Sequence, residues 1–518
     1  MDVNLAMLVD IPAMIVGDDL ALVDGSGERT YGVLRDAVGR TAGLLAGLGV
    51  GEGDRVAILS TNRDEVVEVL FAAAARGATA VPMNFRAGEV ELGHLLSDSG
   101  ARVLFVEGRY LDVVRSVRPD HLDHVVVVDD PGDYRAARDR AEPQDLIADV
   151  DDDDLAVLLY TSGTTALPKG VMLTHGALTG YVMAGNDAAD GTTEGMSLLA
   201  APLYHIAGLT ALLNPLYTGR PTVLLPQFEP EAWLEAVERH HITHAFLVPT
   251  MLAQLLDHPK LADADLSSLQ TVTYGAAPMP RPLLERAIGA FPPAVEWSGA
   301  YGQTETTSTV AVLGPDDHRL EGSPEQVAAR RRRLSSVGRP LDDVELRVVD
   351  PLGRPLPAGE VGEVQLRTFR AMQGYWGEQE KTRVTLDEEG WVHTGDVGYL
   401  DDEGYLFLTG RAGDMIIRGG ENVAPAEVES VLHEHPDVAE AAVVGVPDET
   451  WGERVVAAVV VRPGSQVSPE DLVRFCAERV APAKRPEQVV ILDELPRTGT
   501  GKVVRRDLRP VLEAALRP

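Results

Sequence analysis

The sequence has one cysteine, Cys476, in 518 residues. A single thiol excludes an internal disulfide framework and fits a reducing compartment, so a cytoplasmic location is expected. Basic charge is also scarce: 46 Lys and Arg stand against 80 Asp and Glu, a net charge of −34. A surface this acidic repels phosphate backbones and anionic lipid, which argues against nucleic-acid and membrane-surface roles. It also obliges any nucleotide site to build its own local positive field. No apolar run reaches the roughly 18 residues of a membrane span. Met1 to Leu5 lack the basic region of a signal peptide, and Leu516-Arg517-Pro518 carries no lipidation or peroxisomal signal. Fixed-period repeats and low-complexity tracts are missing too.

What is there has the balance of a globular enzyme, 45% apolar and 24% charged. The length predicts roughly two to four domains. Up to about residue 400, short β-branched runs alternate with amphipathic stretches, the texture of α/β layers. Residues 102–106 and 124–128 read as buried parallel strands. Residues 65–77 and 230–241 read as helices, the second with Pro230 in its first turn, where a missing N–H costs nothing. From about 337 to 410, short alternating strands and turns predict a small antiparallel sheet or barrel. Residues 411–518 carry a net charge of −4 and the rest −30. That contrast predicts a large N-terminal part, 1–410, and a separate small α+β domain, 411–518, with a linker at 411–414. Two charge runs, Asp151–Asp154 and Arg330–Arg333, are read as a solvated loop and a solvated helix face rather than metal or phosphate sites.

The strongest chemical signal is Tyr160-Thr161-Ser162-Gly163-Thr164-Thr165-Ala166-Leu167-Pro168-Lys169-Gly170, directly after the apolar run Leu155–Leu159. Hydroxyls, glycines and one lysine after a strand make an anion cradle able to hold a polyphosphate. It is not a Walker loop, because Gly170 rather than Ser or Thr follows the lysine.

This segment resembles the phosphate loop of the adenylate-forming superfamily, which includes acyl- and aryl-CoA ligases, peptide-synthetase adenylation domains and firefly-type luciferases. Further matches follow in chain order. Ala201-Pro202-Leu203-Tyr204-His205 resembles the acyl-pocket segment and Tyr274-Gly275-Ala276-Ala277-Pro278 the adenine loop. Tyr301-Gly302-Gln303-Thr304-Glu305 and Thr394-Gly395-Asp396 resemble family signatures. Gly410-Arg411, continuing through Gly419-Gly420-Glu421-Asn422, resembles the hinge, and Pro496 to Lys502 the C-terminal catalytic loop.

The resemblance implies two half-reactions: acid and ATP give acyl-adenylate and pyrophosphate, then a thiol gives the thioester and AMP. Lys502 is expected on the carboxylate and α-phosphate. Thr161, Ser162, Gly163, Thr164, Thr165 and Lys169 are expected on the other phosphates. Mg²⁺ would lie on Glu305, a hard oxygen donor, next to Thr304. Gly275, Ala276, Ala277, Pro278, Tyr301 and Gly302 would surround adenine, and Asp396 and Arg411 would bind the ribose. On the residues alone, Tyr301 is equally a core tyrosine and His205 equally a core histidine. By resemblance His205 lines the acyl pocket with Leu209, Val248, Gly299 and Ala300.

Among family members the chain resembles the chlorobenzoate-type aryl-CoA ligases in Tyr204-His205, Gly419-Gly420, Trp451-Gly452 and Lys484-Arg485. CoA is therefore the expected thiol, with Trp451 on its adenine, Arg86 and Arg485 on its phosphates, and Gly419 and Gly420 beside the pantetheine arm. The acid is expected to be aryl, alicyclic or medium-chain. Alternatives are an adenylating enzyme with a carrier-protein, amine or oxygen acceptor, and a non-catalytic nucleotide binder. A homodimer is compatible with the resemblance. Two departures stand out. Ala166 replaces the usual glycine of the loop, and Gly413 replaces the usual Asp or Lys of the hinge, which would loosen it.

Overall fold

A computed structural model of the chain describes residues 3–129, 131–146, 148–161, 167–419, 421–448, 450–497 and 503–515. The chain forms two units. The first comprises Met1–Ala276, Phe291–Val310 and Arg367–Val392; the second comprises Ala277–Ala290, Ala311–Leu366 and His393–Pro518.

In the first unit, the run at 102–106 becomes the strand Val103–Val106, buried at every residue and parallel to Arg55–Leu59 and His124–Val127. His124–Val127 lies at the sheet edge and exposes His124, so it is not the buried strand its composition predicts. A valine run specifies extended backbone; its place in the sheet depends on which strand pairs next. The full order of this seven-stranded sheet is Gly374–Tyr375, Lys169–Thr174, Leu155–Thr161, Thr79–Pro82, Arg55–Leu59, Val103–Val106, His124–Val127. A second sheet in the same unit runs Glu296–Gln303, Thr271–Gly275, His244–Leu247, Ser197–Leu199, Thr222–Leu224, Leu20–Asp24, Gly27–Thr30. The helices expected at 65–77 and 230–241 are Asp64–Ala75 and Pro230–His240. Asp151, Asp152 and Asp153 form an exposed turn before Leu155–Thr161, as expected for a solvated loop.

Asp64–Ala75 is buried along its whole length, including three carboxylates. Arginines compensate them. Arg135 Nη2 lies 2.7 Å from Glu65, Arg63 Nε lies 2.8 Å from it, and Arg29 Nη2 lies 3.0 Å from Asp64. Arg138 Nη1 lies 2.8 Å from Glu68, which also accepts from the buried Tyr134 hydroxyl at 2.6 Å. Burial still pushes the Glu68 carboxyl above its ordinary range, against the pull of Arg138.

The second unit holds two sheets. One is four-stranded, Glu345–Val349, Gly362–Arg367, Val392–Leu400, Leu406–Arg411, the small sheet expected over 337–410. In the other, Gly452–Val461 is flanked by Val438–Asp448, Gln488–Ile491 and Ile416–Arg418, with Glu421–Val423 outside. Its strands alternate, and both faces are covered. Val443, Val455, Ala457 and Val459 pack with Val428, Leu432, Leu472 and Cys476; Val444, Val456 and Ala458 pack with Leu508 and Leu512. Burial pushes the Cys476 thiol up to about 11, so it is a core side chain rather than a nucleophile. The arginine run ends the helix Pro324–Arg333 and is spent on neighbours. Arg330 donates to Arg319 O and Glu321 O, Arg331 pairs with Glu285, Arg332 with Asp401, and Arg333 with Asp317 and Glu403.

Two outcomes follow from these buried groups. Arg138→Ala leaves Glu68 buried without its counter-charge and is expected to lower unfolding free energy by about 3–5 kcal/mol, read from urea titration. His175 is fully buried, its Nδ1 accepts from Leu5 N at 2.9 Å, and burial holds its pKa at about 4. The unfolded imidazole takes up a proton below about 6.5 while the folded one does not, so stability falls as pH drops from 6.5 toward 4. At the limit one such group accounts for about 1.4 kcal/mol per pH unit. Urea midpoints at pH 7.5 and 5.5 check this, with a smaller difference in His175→Gln.

Candidate active site

The hydroxyl- and glycine-rich segment closes a β-hairpin. Leu155–Thr161 and Lys169–Thr174 pair antiparallel, with Thr161 opposite Lys169 and Tyr160 opposite Gly170. Ser162, Gly163, Thr164, Thr165 and Ala166 lie outside the described residues, so the expectations placed on them stay with the sequence. The element after the loop is a strand, where a Walker loop would open a helix.

Gly374–Tyr375 extends the hairpin, antiparallel to Lys169–Thr174, with Tyr375 opposite Val171. Residues two apart along a strand share a face, so this register brings Tyr375 to Lys169. The Lys169 ammonium lies 4.8 Å from the centre of the Tyr375 ring. The Tyr375 hydroxyl donates to Glu305 Oε1 at 2.8 Å. One phenol thus touches both the lysine of the anion loop and the expected metal carboxylate. The other oxygen, Glu305 Oε2, has no partner among the described residues. A half-buried carboxylate with one oxygen fixed and one open fits a hard, oxygen-seeking divalent ion.

Glu305 sits in the 3₁₀ turn Thr304–Thr306, after the strand Glu296–Gln303. The turn is tightly closed. A Cβ at Gly302 would lie 1.8 Å from Ser308 O, so only glycine fits. Thr306 Oγ1 accepts from Gln303 N at 3.1 Å, and Glu305 O accepts from Met372 N at 2.9 Å. Thr304 opens this turn and Tyr301 is half-buried in the strand before it.

Gly275 ends Thr271–Gly275 opposite Ala300. Ala276 follows at φ 67°, a left-handed conformation costing a residue with Cβ on the order of 1–2 kcal/mol and typical of binding loops. Ala277 and Pro278 continue the chain into the second unit. His205 caps the helix Ile206–Thr218, half-buried, with its ring 4.3 Å from that of Tyr204. Burial pushes the Tyr204 phenol up to about 12. Leu209, one turn on, is fully buried. The room left by Gly299 is taken by protein, since a Cβ there would lie 2.9 Å from the Tyr274 hydroxyl. Arg86 is exposed beside Phe85.

In the second unit, Asp396 and Arg411 face each other across adjacent strands, Arg411 Nε 2.9 Å from Asp396 Oδ1. Asp396 is buried and Arg411 is mostly exposed. Gly413 lies in the 3₁₀ turn Ala412–Asp414, outside the left-handed region and with nothing within 4 Å of a Cβ, so its special freedom is not used in this conformation. Gly419 has φ 59°, donates its N–H to Trp451 O at 2.7 Å, and would place a Cβ 2.9 Å from the Trp451 ring. Trp451 is 51% exposed, with the Arg418 guanidinium 5.7 Å from its ring centre. Gly420 lies outside the described residues. Arg418 also donates to Ala483 O and Arg485 O, which ties the segment of Arg485 to the Gly419 strand. Lys502 lies outside the described residues; the loop containing it is closed by a bridge between Arg497 and Val503 and by Val504 N donating to Pro496 O at 2.8 Å.

Sequence reading missed Tyr375. Its partner Glu305 is 70 residues away, and only the pair Gly374-Tyr375, short and β-compatible after a polar turn, hinted at an edge strand.

The chain matches the model of the AMP-binding enzyme family over residues 13–376 and that of the AMP-binding enzyme C-terminal domain over residues 427–502. It is 40% identical over 490 residues to a feruloyl-CoA synthase of Amycolatopsis sp, covering 94% of this chain and 95% of that one. It is 38% identical to the fatty acid–[acyl-carrier-protein] ligase ScoC of Streptomyces coeruleorubidus, covering 93% and 91%. Its structure is similar to that of the anthranilate CoA ligase AuaEII in complex with anthranoyl-AMP, with a TM-score of 0.90, 29% identity, and 100% and 99% of the two chains covered.

Proposed function

This chain belongs to the AMP-binding enzyme family, and on that premise we propose that it is an ATP-dependent carboxylate–CoA ligase acting on an aryl acid. The observation that carries this reading is the Tyr375 phenol between Lys169 and Glu305, which holds an ammonium and a carboxylate at one place beside the anion loop. The aryl preference is supported by the names of the feruloyl-CoA and anthranilate-CoA relatives.

In the first half-reaction a carboxylate oxygen of the acid attacks the α-phosphorus of ATP, the bond to the bridging oxygen breaks, and pyrophosphate leaves. Charge gathers on phosphate oxygens, so fixed positive groups and donors supply most of the rate. Lys169 and the loop from Thr161 hold the β- and γ-phosphates. Glu305 holds Mg²⁺, which when bound neutralises phosphate charge. Gly275, Ala276, Ala277, Pro278 and Tyr301 receive adenine. Asp396 and Arg411, already paired, orient one another and offer an acceptor and a donor to the ribose hydroxyls. Lys502 bridges the carboxylate and the α-phosphate.

In the second half-reaction the CoA sulfur attacks the acyl carbon, the thiol proton passes to solvent, and AMP leaves. Gly419 and Trp451 form the face for the thiol donor: the missing side chain lets backbone and indole lie flat, and the exposed indole is free to stack on adenine. Arg86 and Arg485 meet the phosphates of CoA. Rotation of the part that begins near residues 411–414 exchanges Lys502 for the Gly419 face between the two steps.

A second reading, transfer to a carrier protein, is favoured by the relative ScoC. The acceptor is therefore tested directly. A panel of carboxylic acids in ATP–pyrophosphate exchange is expected to respond best to aryl acids, and AMP release is expected to require CoA. Exchange with no acid at all would overturn the reading, and release with a carrier protein in place of CoA would select the second. Lys502→Ala is expected to lose adenylation by about three orders of magnitude yet convert supplied acyl-adenylate and CoA at near wild-type rate. Gly419→Val should do the reverse, with exchange within about twofold of wild type and thioester formation down at least about tenfold. Single-turnover measurement of each half-reaction checks both.

A further inference from the structure

Arg370 is 1% exposed, one of the largest buried side chains in the chain. What surrounds it is the turn that carries Glu305. Its Nη1 donates to Thr307 O at 3.4 Å and Thr309 O at 3.3 Å, and the Thr307 hydroxyl donates back to Arg370 O at 2.6 Å. The Tyr181 ring centre lies 5.1 Å from the guanidinium, and the Tyr181 hydroxyl donates to Thr309 Oγ1 at 3.3 Å.

The turn needs this support. Thr307 and Ser308 have φ of 48° and 78°, two left-handed residues in succession, neither of them glycine. Such conformations persist only where the surroundings over-determine them, and a β-branched threonine tolerates them least. The strained pair follows Glu305 with one residue between. The segment 370–375 therefore grips this turn at three points: Arg370 on its carbonyls, Met372 N on the Glu305 carbonyl, and Tyr375 on the Glu305 carboxylate. A guanidinium suits the first point because it stays charged and carries several donors in one plane, enough for two carbonyls at once.

We propose that Arg370 is a positioning residue for this reaction. Through Thr307 and Thr309 it fixes the backbone that presents Glu305, and so sets how tightly the divalent ion and its nucleotide are held. The inference rests on the reading of Glu305 as the metal-holding carboxylate. Removing the guanidinium takes a donor from one buried and one half-buried carbonyl and frees the turn to relax.

Mn²⁺ with ATP and no acid is the probe, with free Mn²⁺ read by electron paramagnetic resonance, so binding is measured without turnover. Arg370→Met is expected to weaken Mn²⁺–ATP binding about tenfold and to raise KM for MgATP in pyrophosphate exchange by a similar factor. Conversion of supplied acyl-adenylate and CoA should stay within about twofold of wild type. Arg370→Lys, keeping the charge and one donor, should recover part of the loss. Wild-type Mn²⁺–ATP binding in Arg370→Met overturns the inference. Glu305→Gln tells the two ideas apart: if it also binds as wild type, the reading of Glu305 falls, and if it alone weakens binding, only the role of Arg370 falls. Should Arg370→Met not fold, Thr307→Ala removes the reciprocal hydroxyl bond from the other side. It is expected to weaken binding about threefold, and unchanged binding overturns the inference.

Discussion

An ammonium and a carboxylate that neutralise each other are of little use to a polyphosphate, and in this chain a phenol stands between them. Lys169 rests on the face of Tyr375 and Glu305 takes its hydroxyl, and no ion pair joins the two among the described residues. A ring face attracts a cation only weakly, on the order of 1 kcal/mol where solvent has access, so the lysine is held near its place without being consumed. With −34 net charge, most cations of the chain are already bound to acidic neighbours, as the arginines of Pro324–Arg333 are. A lysine with no ion pair among the described residues suits the nucleotide site proposed here.

Backbone pairing sets the register of this arrangement. The antiparallel register that puts Thr161 opposite Lys169 also sets Gly170 opposite Tyr160, and the added pair Gly374–Tyr375 is aligned on the same strand. A slip by one residue would turn Tyr375 to the other face and leave both Lys169 and Glu305 without it. Rigid strands and a strained turn carry the polar groups, and Thr161 and Lys169 are paired with each other across the hairpin. This is a common division of labour, with precision in the scaffold and contact in the loops.

The sequence was most readable where one segment carries its own signal. The strands near 103 and 155 and the helices Asp64–Ala75 and Pro230–His240 follow from composition and periodicity, and the ordered motifs are enough to recognise the family. What was not readable depends on partners far along the chain. The edge position of His124–Val127 reflects strand order, which no local pattern encodes. The arginine run is the solvated helix face its composition predicts, with Arg331 and Arg332 more than half exposed, but its ion-pair partners lie up to about 70 residues away. Tyr375 and Arg370 stand outside every recognised motif, and each acts on a turn more than 60 residues before it.

The bridge between Arg497 and Val503 has a consequence for timing. Arg497 and Val503, the described residues on either side of 498–502, are tied to each other by it. Val503 in turn leads into the helix Arg505–Ala515, whose Leu508 and Leu512 are sunk in the core of the sheet beneath. On the proposed role of Lys502, its described neighbour Val503 is thus anchored to this platform and travels with it. If the two half-reactions use different faces of that platform, the slow event between them is a rigid-body swing, and solvent viscosity should govern it more than chemistry does.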